Sequence, residues 1–545
     1  VNQRRINLLR GTSVVSTLTL LSRVLGFIRD LLTARLLGAG FAADAFFVAF
    51  RIPNLLRSFV AEGALTSAFV PVFTAELAKG KDRARSTIRS ITGLLLLTTV
   101  VLSLLGIAFS RQIVGLFAPG FGDFSEKSDL CKVLTQVMMP YIICVSLVAM
   151  LNAALNTVNI FGAGAMAQVW MNIVLIAGAL IAGIYDQNGA ALALSISVLI
   201  GGVLQVIVQI PAMRKSGLYA IPSIKLITPA TKQIMVLILP AIVGATVYQL
   251  QIFLNTVLAS FLQQGSVSWL FYADRLVQLP IGIFSIALAS VLLPALSKAA
   301  VLQDEELLST DLTNALRYTS FVVIPTATLF FSLAEPLIGL IFERGAFSQA
   351  STIQTARAVR AYSLGLWAVS CHSMLVRVFI AKKDTATPTL IGALTLCITV
   401  TLSLIFMGRP ASGQIGLLYQ AAVSYQQLLV GTNGGWDLGH VGLALASSLA
   451  SFAALGIVAV LVQRQNNIDW SPFISATTKT ILASAFMLLI CKVTVPSESS
   501  YLVQLVVGLP SALVAFILAS WAIRSQELNE CWQTADRLLH KKKRS

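Results

Sequence analysis

Charge is what this sequence has least of. Only 11% of its 545 residues are Asp, Glu, Lys or Arg, against about 25% in a soluble domain, which excludes a chain that presents a hydrated surface of its own. Acidic residues are the scarcer sign, 23 against 39 Lys and Arg, and there are only three histidines. Six cysteines (Cys131, Cys144, Cys371, Cys397, Cys491, Cys531) show no CxxC pairing and several lie in apolar runs, so they read as buried structural residues and not as a disulfide framework or a zinc site. His372 sits among apolar and small residues with no partner histidine at metal-ligand spacing. There is no Walker motif, so ATP does not drive this chain directly. "GAG" at Gly38–Gly40 follows a helix and not a strand, which removes a dinucleotide fold. A dense Asp cluster of the kind that binds Mg²⁺-diphosphate is also missing. Neither a metal nor a cofactor is expected, and the chain reads as no enzyme.

What is abundant is apolar surface. Hydrophobic residues make up 56% of the chain, and its mean hydropathy is +0.82. Apolar stretches of about 20 residues, the length that crosses a hydrocarbon core of ~30 Å, recur throughout. About fourteen spans are predicted, near 12–38, 43–72, 90–117, 133–157, 165–185, 189–211, 232–262, 268–296, 315–342, 355–381, 388–407, 440–463, 475–494 and 501–523. The first carries charges and lacks a small-residue cleavage site, so it is expected to stay as a span. The net charge of +16 follows topology and not nucleic acid. Arg4, Arg5 and Arg10, the Lys79–Arg89 stretch, Arg214 to Lys232, Lys382 and Lys383, and the Lys541–Arg544 tail all fall in alternate loops, whereas the loop with Asp123, Glu126 and Asp129 is acidic. That is the positive-inside pattern, and it puts both termini in the cytoplasm with an even number of spans.

The chain also repeats itself. "VPVF" at Val70–Phe73 returns as "LPAL" at Leu293–Leu296, a shift of 223; Gly115 maps to Gly339, a shift of 224; Tyr141 maps to Tyr362, a shift of 221. The expectation is an all-α polytopic membrane protein with two six-helix lobes in parallel repeat and two further C-terminal helices. Its parts are an N-lobe over 1–225, a C-lobe over 226–465 and a final pair with a basic tail over 466–545. Segment 408–440 reads as a long external loop or a short interfacial element.

Charge inside the bilayer is costly and by default marks a substrate or ion pathway. Span one carries Arg23, Arg29, Asp30 and Arg35; span two carries Asp44, Arg51, Asn54, Arg57 and Glu62; span eight carries Ser268, Asp274, Arg275 and Gln278. Residues seven apart share a helix face, which pairs Arg23 with Asp30, Asp44 with Arg51 and Ser268 with Arg275. Pro53 and Pro280 interrupt the last two spans. An excess of guanidinium over carboxylate suits a phosphate or pyrophosphate, which arginine holds bidentately. Arg23, Arg29, Arg57 and Arg275 are the leading candidates, with Asn54 and Ser268 beside them and Asp30, Asp44, Asp274 and Glu62 as charge partners. A plainer reading stands next to this one. Arg35, Arg51 and Glu62 near span ends fit snorkelling, as do Arg111, Arg317 and Arg377; Asp30 and Asp274 fit simple neutralisation of neighbouring arginines. The amides Gln136, Gln168, Asn172, Gln205, Gln249 and Gln251 fit bridges between helices.

These segments resemble a known family. "SRVLGFIRD" (Ser22–Asp30), "DAFFVAFRIPNLLRSFVAEGALTSAFVPVF" (Asp44–Phe73), "WLFYADRL" (Trp269–Leu276), "LIFERGAFS" (Leu340–Ser348) and "KKDTATP" (Lys382–Pro388) look like the MurJ/MviN lipid II flippases of the multidrug/oligosaccharidyl-lipid/polysaccharide exporter superfamily. The likeness runs in register from about residue 10 to 400. It implies fourteen helices, two lobes around a cationic cavity, and translocation of lipid-linked peptidoglycan precursor across the bacterial inner membrane by alternating access. By position it puts the family's cavity arginines at Arg23, Arg29, Arg57 and Arg275, and its other functional polar positions at Asp30, Asp44, Asn54 and Ser268. The last two helices resemble a groove for the polyprenyl tail. Lipid II and membrane lipids are the implied partners, with the peptidoglycan synthesis machinery as a further one and nucleic acid excluded. Coupling to membrane potential or to an ion is the implied drive. Gln278 departs from the family, where an acid often stands, and 408–440 looks longer than usual. Three alternatives stay open: a cation or drug antiporter, an exporter of another polyprenyl glycolipid, and a membrane enzyme acting on polyprenyl diphosphate.

Overall fold

A backbone surrounded by hydrocarbon has no water to bond, so each apolar window must satisfy its own N–H and C=O groups, and a helix does this within one segment. The computed structural model describes residues 2–60, 64–122, 125–219, 221–410, 417–431, 435–496 and 498–542, and these are helical almost throughout. In chain order the first ten helices are α1 Asn2–Leu37, α2 Phe41–Val60, α3 Ala64–Ala78, α4 Lys81–Ala108, α5 Ser110–Phe117, α6 Glu126–Met138, α7 Tyr141–Thr157, α8 Gly162–Ala182, α9 Gln187–Lys215 and α10 Pro229–Ser260. There follow α11 Ser266–Pro280, α12 Ile286–Leu302, α13 Glu305–Ser332, α14 Ala334–Phe342, α15 Gln349–Ala381, α16 Ala386–Phe406 and α17 Leu417–Val430. The chain closes with α18 Gly439–Gln465, α19 Ser471–Thr494, α20 Tyr501–Ala522 and α21 Gln526–Lys542.

Among the described residues, each of the fourteen predicted windows falls on helix, the second divided between α2 and α3. Among the described residues, nine stretches are long and apolar enough to cross a membrane, eight of them single helices and the ninth the continuous run Ser266–Leu302 of α11 and α12, and there are eleven if two bent pairs each make one span. Those pairs are α6–α7, bent by 40° where Pro140 withholds an N–H, and α13–α14, bent by 73°. After Pro280 a five-residue π-helical turn, Ile281–Ser285, joins α11 to α12. Segment 408–440 holds a helix, α17, pinned by Gln426 Nε2 donating to the carbonyls of Leu404 and Gly408, each at 2.7 Å.

The chain forms two compact units. Unit 1 comprises Val1–Ser268, Arg344–Ser348 and Ala411–Ala421; unit 2 comprises Trp269–Glu343, Gln349–Pro410 and Ala422–Ser545. A core in unit 1 gathers Phe69, Phe73, Ile88, Met150 and Met213 from α3, α4, α7 and α9, with the Phe69 and Phe73 rings stacked at 4.8 Å. In unit 2 one core joins Leu312, Leu316, Met374, Phe379 and Val458, and a second joins Ala483, Met487, Leu505 and Phe516 of α19 and α20 to Leu333. Small residues set the helix spacing, as expected where lipid offers no hydrophobic drive between helices. A Cβ on Gly365 of α15 would stand 2.6 Å from Ser448 Cα of α18, and the Ser448 hydroxyl donates to the Ala361 carbonyl at 2.7 Å.

Candidate functional site

Neighbours in a helix do not normally face each other, so an Arg29–Asp30 contact needs the longer side chain to fold back. It does: Arg29 Nε and Nη2 both donate to Asp30 Oδ1, at 3.0 and 2.7 Å. Nη1 donates to Asn172 Oδ1 on α8 at 3.1 Å, and Asn172 Nδ2 donates onward to the Ser22 carbonyl at 3.0 Å. Asn172 is therefore a bridge between helices that also sets the plane of a guanidinium. Three of the five N–H donors of Arg29 are used by these bonds, and its side chain is 19% exposed. Arg23, two turns earlier on the same helix, is exposed.

Asp44 is the most enclosed carboxylate of the candidate set, 1% exposed, and four donors converge on it. Oδ1 accepts from the Ser268 backbone N–H at 2.9 Å and the Ser268 hydroxyl at 2.6 Å. Oδ2 accepts from the Gly265 N–H at 2.8 Å and from Lys127 Nζ at 2.7 Å. The carboxylate thus caps the N-terminus of α11, where a negative charge meets the positive end of the helix dipole. Two predicted site residues, Asp44 and Ser268, are brought together here; Arg51, seven residues beyond Asp44, donates to Thr256 Oγ1 on α10.

On the rest of α2, Asn54 turns its Nδ2 back to the Phe50 carbonyl at 2.9 Å and Arg57 is half-buried near the end of the helix. Glu62 lies outside the described residues. In unit 2, Arg275 sits over the Phe271 ring at 5.1 Å, and Asp274 accepts from Gln278 Nε2 at 2.5 Å. Gln278 therefore gives Asp274 a neutral donor one turn away, where an acid would have set two like charges at i and i+4.

Lys127 escaped sequence reasoning because it lies in a loop read as acidic; the only signal was a lone lysine beside Glu126. Arg317, read as snorkelling, is a correction. It is 10% exposed and donates from Nε to Glu527 at 2.8 Å, from Nη1 to Asn314 at 3.1 Å and from Nη2 to Gln526 at 3.1 Å, because α21 folds back against α13. Tyr318 donates to Glu530 beside it. Burial alone would raise the Glu527 carboxyl, but its own backbone N–H, Arg317 and Ser525 hold it below the usual value of 4.5. Two family-like motifs also have local causes. In "KKDTATP", Asp384 accepts the Thr387 hydroxyl at 2.6 Å and the Thr387 N–H at 3.0 Å, bonds that cap the start of α16 and keep the carboxyl below its ordinary range. In "LIFERGAFS", the Ala346 N–H donates to the Arg35 carbonyl at 2.8 Å, an approach so close that a Cβ on Gly38 would meet Ala346 O at 2.4 Å.

Long apolar helices that carry buried, partnered charge on α1, α2 and α11 define a multi-pass helical membrane protein of the transporter type. The fold is that of a solved structure described as lipid II flippase MurJ in an inward closed conformation, which is 26% identical, with a TM-score of 0.75 over 93% of this chain and 99% of that one. An inward-facing multidrug resistance MATE family transporter of the MOP superfamily shares the fold alone, at 15% identity and a TM-score of 0.63 over 86% of this chain and 99% of that one. The family model for lipid II flippase MurJ matches residues 33–433, which carries the likeness past residue 400. A probable lipid II flippase of Vibrio cholerae is 33% identical over 83% of this chain and 82% of its own, and a lipid II flippase of Burkholderia cenocepacia is 36% identical over 77% and 81%. The chain belongs to the lipid II flippase MurJ family.

Proposed function

We propose that this protein moves lipid II across the bacterial inner membrane by alternating access, with both termini cytoplasmic and with membrane potential or an ion as the drive. Arg23, Arg29, Arg57 and Arg275 hold the pyrophosphate and headgroup. Asn54 and Ser268 join by exchanging their present bonds to Phe50 and Asp44. Asp30, Asp44, Asp274 and Glu62 balance the arginines between steps. The observation that carries this reading, beside family membership, is Arg29: its guanidinium is oriented from two sides, yet two of its five donors remain for an incoming oxyanion. A cation or drug antiporter would instead want carboxylates as the open charges.

The test is growth rescue when a bacterium's own lipid II flippase is shut off, comparing wild type with Arg29→Ala at matched membrane levels. Rescue by wild type alone is the expected result. Rescue by both keeps the function and removes Arg29 from the site. Failure of a well-expressed wild type, together with drug efflux from the same cells, moves the reading to the antiporter.

A further inference from the structure

The four-donor arrangement at Asp44 contains one side chain that neither the sequence motifs nor the transport reading uses. Lys127 is the second residue of α6, a position where the helix dipole disfavours a cation, so helix preference does not explain it. Its side chain is 14% exposed and its ammonium is 2.7 Å from Asp44 Oδ2 and 4.3 Å above the centre of the Phe121 ring. It is the cation that the described contacts place on this carboxylate. The same carboxylate grips Gly265 and Ser268, and the chain passes from unit 1 into unit 2 between Ser268 and Trp269, inside α11. Arg275 lies two turns further along that helix.

We propose that Lys127 is a positioning residue for transport: its charge balances the buried Asp44 carboxylate so that Asp44 can hold the first turn of α11, and through it the start of the helix that carries Arg275. This rests on the transport reading above. A buried carboxylate that loses a paired cation either takes up a proton or draws in water, and an acid that has taken up a proton has one oxygen fewer to accept the Ser268 and Gly265 N–H groups.

The experiment uses full-length protein in proteoliposomes and two readouts. Lipid II translocation is followed in wild type, Lys127→Met, Lys127→Arg, Asp44→Asn and the double variant Asp44→Asn/Lys127→Met. In parallel, Ser266→Cys is added to each, because the Ser266 hydroxyl is buried with no hydrogen-bond partner and a thiol fits its place. Its labelling by N-ethylmaleimide is mapped by mass spectrometry. Lys127→Met is expected to lower translocation and raise labelling at 266, each by about tenfold, with labelling of the buried Cys371 unchanged. Lys127→Arg restores both, and the double variant is no worse than the worse single one. Unchanged labelling at 266 in Lys127→Met overturns the proposal, and so do losses that multiply in the double variant. A parallel rise at Cys371 also overturns it, since that reports general loosening. If wild type fails to move lipid II while the labelling pattern holds, the transport reading falls and the anchor stands.

Discussion

Arg29 in unit 1 and Arg317 in unit 2 are both arginines on long apolar helices, and they are housed in opposite ways. Arg317 is enclosed by Glu527, Gln526 and Asn314, with Glu530 at 3.8 Å, and its main partner Glu527 is 2% exposed. Arg29 has a carboxylate on one edge and a neutral amide on the other, and it remains twice as exposed as Arg317, 19% against 10%. The first arrangement closes around its charge and acts as a strut between α13 and α21. The second fixes the direction of the charge with one carboxylate and one amide and leaves it more open to an incoming group. Intramembrane arginine alone does not distinguish a structural charge from a working one; how far its partners neutralise and enclose it does.

That contrast is sharpened most by Arg29→Lys, which keeps the charge and removes the fork. A lysine cannot serve Asp30 and Asn172 and still offer paired donors, so translocation should fall by about a hundredfold with insertion unchanged. Wild-type rates from that variant would mean that a point charge suffices. Next in size is Arg317→Met, which strands Glu527 and should cost about 3–5 kcal/mol, read as a lower melting temperature in detergent with translocation per folded molecule preserved. Adding Glu527→Leu should recover most of the loss; a single variant that melts like wild type would show the pair to be idle. The pair also predicts a pH dependence. Because the Glu527 carboxyl is depressed in the folded protein, its contribution is fully present above the ordinary value of 4.5 and disappears as pH falls through the folded value. The melting difference between wild type and Glu527→Gln should hold constant from pH 6 to 8 and narrow as pH falls below 4.5. The smallest effect belongs to Gln278→Glu, where a like-charge pair with Asp274 at i, i+4 costs roughly 0.2–0.5 kcal/mol and should slow transport by no more than about twofold. A larger defect would give Gln278 a role of its own.

The helices were legible because membrane thickness sets the length of an apolar run, and all fourteen windows carry helix. Arg29 was legible because charge in such a run stands out. Partners drawn from distant segments were not. Glu527 lies 210 residues from Arg317, in a segment whose sequence reads only as a basic tail, so the arginine looked like an interfacial one. Lys127 and Asp44 are separated by 83 residues, and nothing in an acidic loop announces that its one lysine turns inward. Asn54 shows the converse: a polar residue singled out for its place in a span bonds its own helix, four residues back.

The π turn at Ile281–Ser285 carries a consequence for register. A π turn accommodates one residue more than the α-helical turn it replaces, so returning this stretch to α geometry would advance α12 by about 1.5 Å and rotate it by about 100° against α11. Arg275 and α12 stand on opposite sides of that turn. The helix that begins under the grip of Asp44 therefore contains, six residues beyond Arg275, its own step of slack in which the angular setting of one half is independent of the other.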